Sequence, residues 1–193
     1  MTLPVVLGST SRYRAELLRR LLADFTQAAP GVDEAALPGE VPAARALRLA
    51  IAKAEAVART HPQALVIGSD QVAELGGHVL DKPVTPERAR QQLHASSGHA
   101  VHFHTALCLL DARTGARHTH LDLTRAVFRT LDDGEIARYV EREQPLDCAG
   151  SFKCEALGIS LFERIETDDP SALVGLPLIA LARLLRAAGH PIP

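Results

Sequence analysis

Short apolar runs alternate with helical stripes along this chain. Leu3 to Leu7 is apolar and ends in Gly-Ser-Thr-Ser, which predicts a buried strand feeding a loop. RYRAELLRRLLADF follows with Leu17, Leu18, Leu21, Leu22 and Phe25 at helical spacing, and Ser11 fits as its N-cap. From Pro42 to Thr60 an alanine-rich stretch places Leu47, Ala50, Ile51, Ala54 and Val57 on one helical face, and Pro62 ends it. ALVIGSDQVAEL (64–75) predicts a strand interrupted at Gly-Ser-Asp-Gln, then a Gly76-Gly77 turn and a return strand at Val79-Leu80. Thr85-Pro86 opens a helix to about Ser96, by the N-cap and N1 preferences. His99 to Leu110 and Arg117 to Phe128 are extended runs joined by DARTGA, a hairpin signal. Asp132-x-x-Glu135 has the form of a capping box and starts a helix to about Glu143. A last helix spans Ser171 to Ala188. The alternation predicts an α/β fold with a mixed sheet flanked by helices.

Length and composition narrow the classes. The 193 residues suit one domain, or two small lobes around one cleft, and 47% hydrophobic content supports a sizeable core. No stretch approaches a membrane span, and the start lacks the basic leader and long apolar run of a signal peptide, so the expected location is cytoplasmic. Three cysteines, Cys108, Cys148 and Cys154, lack zinc-type spacing and are expected to be reduced structural thiols. A net charge of −2 argues against a general nucleic-acid binder, but a local positive pocket for a small anion remains open. Only Lys53, Lys82 and Lys153 are lysines among 21 basic residues, so each is a candidate for a place that needs a compact, flexible charge.

Four segments can carry chemistry. The first strand–loop–helix offers a phosphate site, where free backbone N–H groups meet the hydroxyls of Ser9 and Ser11. Arg12 and Arg14 stand near the helix start, where a cation opposes the dipole, and an anionic ligand explains them better than helix stability does. No Walker A loop and no G-x-G-x-x-G is present. Asp70 ends an apolar run in LVIGSDQ and is expected at the carboxyl end of a core strand, able to hold magnesium or take a proton from water. Asp33-Glu34 adds two loop carboxylates. DKP (81–83) and CAGSFKCEALG (148–158) are the remaining candidate loops. His102 and His104 share one strand face and His118 and His120 another. A turn near Arg113 sets His104 opposite Leu123 and His118 opposite Leu109, too offset to close a four-ligand metal site.

In this order the pieces resemble the Maf-like family of nucleotide pyrophosphatases over nearly the whole chain: LGSTSRYRAELL (7–18), VDE (32–34), Lys53 in IAKAEAV, IGSDQV (67–72), DKP (81–83), SSGHAV (96–101), CAGSFKCEALG (148–158) and VGLPL (174–178). The resemblance implies a single Maf-like domain over 1–193, two lobes around a deep cleft, and cleavage of a nucleoside triphosphate to monophosphate and diphosphate with Mg2+ or Mn2+. It makes Asp70 the proton acceptor and, with Glu34, a metal ligand. Ser9, Arg14, Lys53 and Lys82 match phosphate-contacting positions. Tyr13, Gln71 and Glu155 resemble the 7-methyl-GTP branch, and Lys153 stands beside them as a substrate-binding candidate. The chemistry agrees, because a 7-methylated guanine ring is cationic and is attracted by an aromatic face and a carboxylate. Arg12 replaces the family's usual proline, and Tyr13 stands where the branch often has tryptophan.

The implied partner is a small nucleotide, with no nucleic acid and no membrane; a homodimer is left open. Two alternatives stay beside this reading. One is a pyrophosphatase for dTTP, UTP, CTP or other modified nucleotides. The other is a non-enzymatic regulator of cell division.

Overall fold

A computed structural model describes residues 2–193. Seven strands form one mixed sheet: β1 (Val5–Leu7), β2 (Thr26–Gln27), β3 (Leu65–Leu75), β4 (His78–Val79), β5 (Ala100–Asp111), β6 (Arg117–Phe128) and β7 (Phe162–Glu166), in the order β2-β1-β3-β5-β6-β7 with β4 paired to β3. The helices are α1 (Arg12–Leu18), α2 (Pro42–Ala58), α3 (Pro86–Ser96), α4 (Asp133–Glu143) and α5 (Leu178–Ala187). The chain divides into two compact units, and β3, β5 and β6 each run through both.

The first unit holds 2–70, 105–122 and 169–193 of the described residues. Here β1 pairs in parallel with β2 and with β3, Val6 opposite Val66. Leu7, Leu17, Leu18, Ile67, Leu107, Leu181 and Leu185 are among the buried residues of its core. Leu65 to Asp70 is buried at every position, as expected of a strand covered on both faces. The expected interruption at Gly-Ser-Asp-Gln is absent: β3 runs unbroken through it, and Asp70 lies mid-strand rather than at its end. Gly68 explains the run's composition. A Cβ there would sit 2.7 Å from Ala54 N and 3.0 Å from Ala54 Cβ, so only glycine lets α2 lie this close to β3. The buried face of α2 is Ala46, Leu49, Ala50, Lys53, Ala54 and Val57. It is rotated from the expected stripe, and leaves Leu47 and Ile51 half-buried.

The second unit holds 71–104 and 123–168. Phe103, Phe128, Phe152 and Phe162 meet edge to face, with centroids 4.8–5.9 Å apart. Both helix starts form as the sequence predicts. Thr85 caps α3, and Asp132 and Glu135 close a reciprocal capping box on α4.

Other expectations shift. α1 stops at Leu18 and gives way to turns. The last helix is broken into a 3-10 turn (Ala172–Val174) and α5. β2 and β7 are absent from the sequence-based prediction. β6 also inverts its pattern: Asp122 and Thr124 are buried while Leu121 and Leu123 are exposed. Asp111 N–H donates to Ala116 O and Phe128 N–H to His99 O. Both bonds share the register expected for the hairpin. Among the described residues no group of three or more His, Cys, Asp or Glu could hold a metal ion, and all three cysteines are free.

Candidate active site

The first unit assembles a charged cluster from four separate segments. Glycines set its base. Gly8 N–H donates to Ile67 O at 2.8 Å, tying the end of β1 to β3, and a Cβ on Gly8 would lie 3.2 Å from Lys53 O. With Gly68, this close packing drives α2 against the sheet, so Lys53 sits on the buried face of its helix. Its ammonium lies 2.6 Å from Asp70 Oδ1 and 2.7 Å from Glu34 Oε1. Lys53 and Asp70 are almost sealed from solvent, whereas the Glu34 side chain is 56% exposed.

A buried charge is stable only when it is paired, and this triad pairs it. Burial pushes the Asp70 carboxyl above its ordinary value. Lys53 and then Arg14 oppose the rise, and Glu34 adds to it. Burial likewise lowers the Arg14 guanidinium, against the pull of Asp70 and Glu34.

Each charged side chain is held by a scaffold. Arg14 Nε donates to Gly175 O at 2.8 Å and Nη1 reaches Ser9 Oγ at 3.4 Å. Gly175 O also accepts Ser69 Oγ–H at 2.9 Å. Gln27 Nε2 donates to Ser9 O at 3.0 Å, bracing the loop from β2. Ser11 caps α1 by accepting Arg14 N–H at 3.3 Å. With seven residues, α1 contributes only a short dipole, so the site's positive field comes from Arg14 and Lys53.

The loop carrying Glu34 is clamped from α2. Arg45 donates to Glu34 O at 3.1 Å and Arg48 to Ala35 O at 3.0 Å. Arg48 also grips Glu40 bidentately, holding its carboxyl down at about 2. Asp33 spends its carboxylate on Ala35 N–H within the loop, which leaves Glu34 as the partner of Lys53. Gln27, Ser69, Gly175, Arg45 and Arg48 were not singled out as chemistry in the sequence. Gly175 and Ser69 had a signal, through VGLPL and IGSDQV.

Of the candidates, Ser9, Arg14, Glu34, Lys53 and Asp70 belong to this cluster. Tyr13 lies beside it on α1, with the Arg12 guanidinium 4.7 Å over its ring and donating to its hydroxyl at 2.7 Å. The tyrosine face thus already attracts a cation. Gln71, Lys82, Lys153 and Glu155 lie in the second unit. Lys82 is exposed on the loop between β4 and α3, and Glu155 is exposed on the 148–158 loop. Lys153 is folded back on the end of α4, with Nζ 2.9 Å from Glu143 O. His104 pairs with Glu74 at 3.2 Å.

Two carboxylates flanking a lysine do not make a complete cage for a hard cation. Magnesium, however, commonly takes only one or two carboxylates and completes its shell with water and substrate phosphates. Glu34 and Asp70 fit that limited role.

A family model described as Maf-like protein matches residues 4–188. A protein of Xanthomonas axonopodis pv. citri is 58% identical over 98% of both chains. One of Burkholderia thailandensis is 56% identical over 97% of this chain and 89% of its own. One of Cupriavidus metallidurans is 54% identical over 97% and 94%. Each of the three is named 7-methyl-GTP pyrophosphatase.

Proposed function

The chain belongs to the Maf-like family, and from that premise we propose that it is a nucleotide pyrophosphatase hydrolysing 7-methyl-GTP to 7-methyl-GMP and diphosphate. The observation that carries the reaction is the buried Lys53–Asp70 pair, closed by Glu34 and faced by Arg14. Asp70 takes the proton of a water that attacks the α-phosphorus. The bond to the bridging oxygen breaks, and diphosphate leaves with its electron pair. Burial raises the Asp70 carboxyl, and a carboxylate so raised takes a proton more readily than an exposed aspartate does. Lys53, Arg14, Ser9 and Lys82 contact phosphate oxygens and offset the charge that builds there. Glu34 and Asp70 would hold Mg2+ or Mn2+, which would supply charge neutralisation at the phosphates.

Tyr13, Gln71 and Glu155 are the proposed base-recognition residues. Three relatives of at least 54% identity carry the 7-methyl-GTP name, and an aromatic face such as that of Tyr13 attracts a cationic base. No helix among the described residues is long and apolar enough to cross a membrane, and the proposed setting is the cytoplasm.

The test is diphosphate release from 7-methyl-GTP, GTP, dTTP, UTP and CTP with Mg2+ or Mn2+, before and after chelation. Preference for 7-methyl-GTP, lost on chelation and in Asp70→Asn, is expected. Preference for a pyrimidine nucleotide refutes the base assignment, and release undiminished in Asp70→Asn refutes the role of Asp70.

A further inference from the structure

The end of α4 and the loop around Glu155 are joined by a set of bonds that the reaction itself does not require. Lys153 N–H donates to the Tyr139 hydroxyl at 3.1 Å. Lys153 Nζ donates to Glu143 O at 2.9 Å and Gln144 O at 3.4 Å, satisfying carbonyls that a helix end leaves open. Its ammonium is 3.5 Å from Glu143 Oε1, with both side chains largely buried. The other carboxylate oxygen, Oε2, accepts Leu157 N–H at 3.0 Å.

The loop also closes on itself. Ala156 N–H donates to Lys153 O at 3.2 Å, and a Cβ on Gly158 would lie 2.5 Å from that same carbonyl. Glu155 is therefore an exposed carboxylate between two anchored residues, Lys153 and Leu157.

We propose that Tyr139 and Glu143 are positioning residues for substrate specificity, fixing through Lys153 and Leu157 the loop that presents Glu155 to the base. Lys153 thereby serves as the loop's anchor rather than as a substrate-binding residue. The inference rests on the reading that Glu155 recognises the base. A carboxylate discriminates a methylated cationic ring from a neutral one only when it is held in place, because a mobile acid pairs with water equally well. Neither Tyr139 nor Glu143 need touch the substrate.

The experiment compares kcat and KM for 7-methyl-GTP and GTP in the full-length protein and in Glu143→Ala, Glu143→Gln, Tyr139→Phe and Glu155→Gln, with a thermal melt of each. Glu143→Ala is expected to lower the 7-methyl-GTP to GTP ratio of kcat/KM by roughly tenfold, less than the ~100-fold that an ångström of misplacement can cost. The loss lies in KM, with kcat within about twofold, because Asp70 and Lys53 are untouched. Glu143→Gln keeps an oxygen for Leu157 N–H and restores most of the ratio. Tyr139→Phe keeps the buried ring, folds where Glu143→Ala does not, and lowers the ratio in the same direction. Wild-type ratios in folded Glu143→Ala and Tyr139→Phe, with a fall in Glu155→Gln, overturn this inference alone. An unchanged ratio in Glu155→Gln overturns the base reading and this inference with it.

Discussion

Gly68→Ala tests whether the close approach of α2 to β3 builds the active site. The added methyl would sit 2.7 Å from Ala54 N and 3.0 Å from Ala54 Cβ, and nearer still to Ala50 O. These are backbone and Cβ atoms of a 17-residue helix, so no side-chain rotation relieves the overlap. Ordinary contact begins at about 3.5 Å, so α2 must retreat by at least ~0.8 Å. Lys53 rides on that helix, and its 2.6 Å bond to Asp70 would open by a similar amount. Overpacking of this kind costs ~1–3 kcal/mol, and a melting temperature falls by ~2–4 °C per kcal/mol in a chain of this size. Misplacing a reacting group by about an ångström costs up to ~100-fold in rate. Melting followed by circular dichroism and the rate of diphosphate release should therefore both drop, the rate at a temperature where the variant is still folded. A folded variant with wild-type kcat would show that the Lys53–Asp70 distance does not govern the reaction.

The raised carboxyl of Asp70 gives a pH prediction with a definite sign. As the proposed base, Asp70 must be ionised, so kcat/KM should rise with pH through a value above the ordinary aspartate figure of about 3.9, and a limb at or below that figure would contradict the burial argument. A folded value above the unfolded one means that Asp70's contribution to stability is present below the unfolded value and lost as pH rises through the folded one. Asp70→Asn, which leaves Lys53 its Glu34 partner, should thus be inactive yet melt no lower than wild type at neutral pH. An Asp70→Asn variant that melts below wild type, by a margin that grows as pH rises, would reverse that sign. A further expectation concerns Asp169, buried and accepting Ser171 N–H at 3.0 Å and Ile179 N–H at 2.7 Å at the start of α5. Asp169→Ala strands those donors at a cost of ~2–4 kcal/mol. It should also weaken catalysis, since the same turn sets the Gly175 carbonyl that orients Arg14; an intact rate in a destabilised variant would separate the two.

The elements that were legible in the sequence are those whose causes are local. Thr85-Pro86 and Asp132-x-x-Glu135 carry their own caps, and α3 and α4 begin where those residues say. The hairpin register followed from turn length alone. What was not legible depended on distant partners. Leucines and alanines lie on more than one face of α2, so periodicity does not fix its orientation. Gly68, in another strand, fixes it, and turns Lys53 inward. β6 points Asp122 and Thr124 inward and Leu121 and Leu123 outward, against the transfer preference of every one of them. The two-residue strand β2 depends on pairing with β1 rather than on any pattern of its own.

The lysines show the same division most sharply. Their scarcity marked three positions as special but said nothing about which job each performs. Lys53 is sealed between two carboxylates, Lys153 is spent on the end of α4, and Lys82 is exposed on its loop. A buried ammonium needs fixed counter-charges before it can serve phosphate chemistry. A helix end needs only a donor that can reach its last carbonyls. Composition is blind to that distinction because it lies in the neighbours, and the neighbours of Lys53 come from positions 34 and 70, brought to it by the glycine contacts that seat α2 on the sheet.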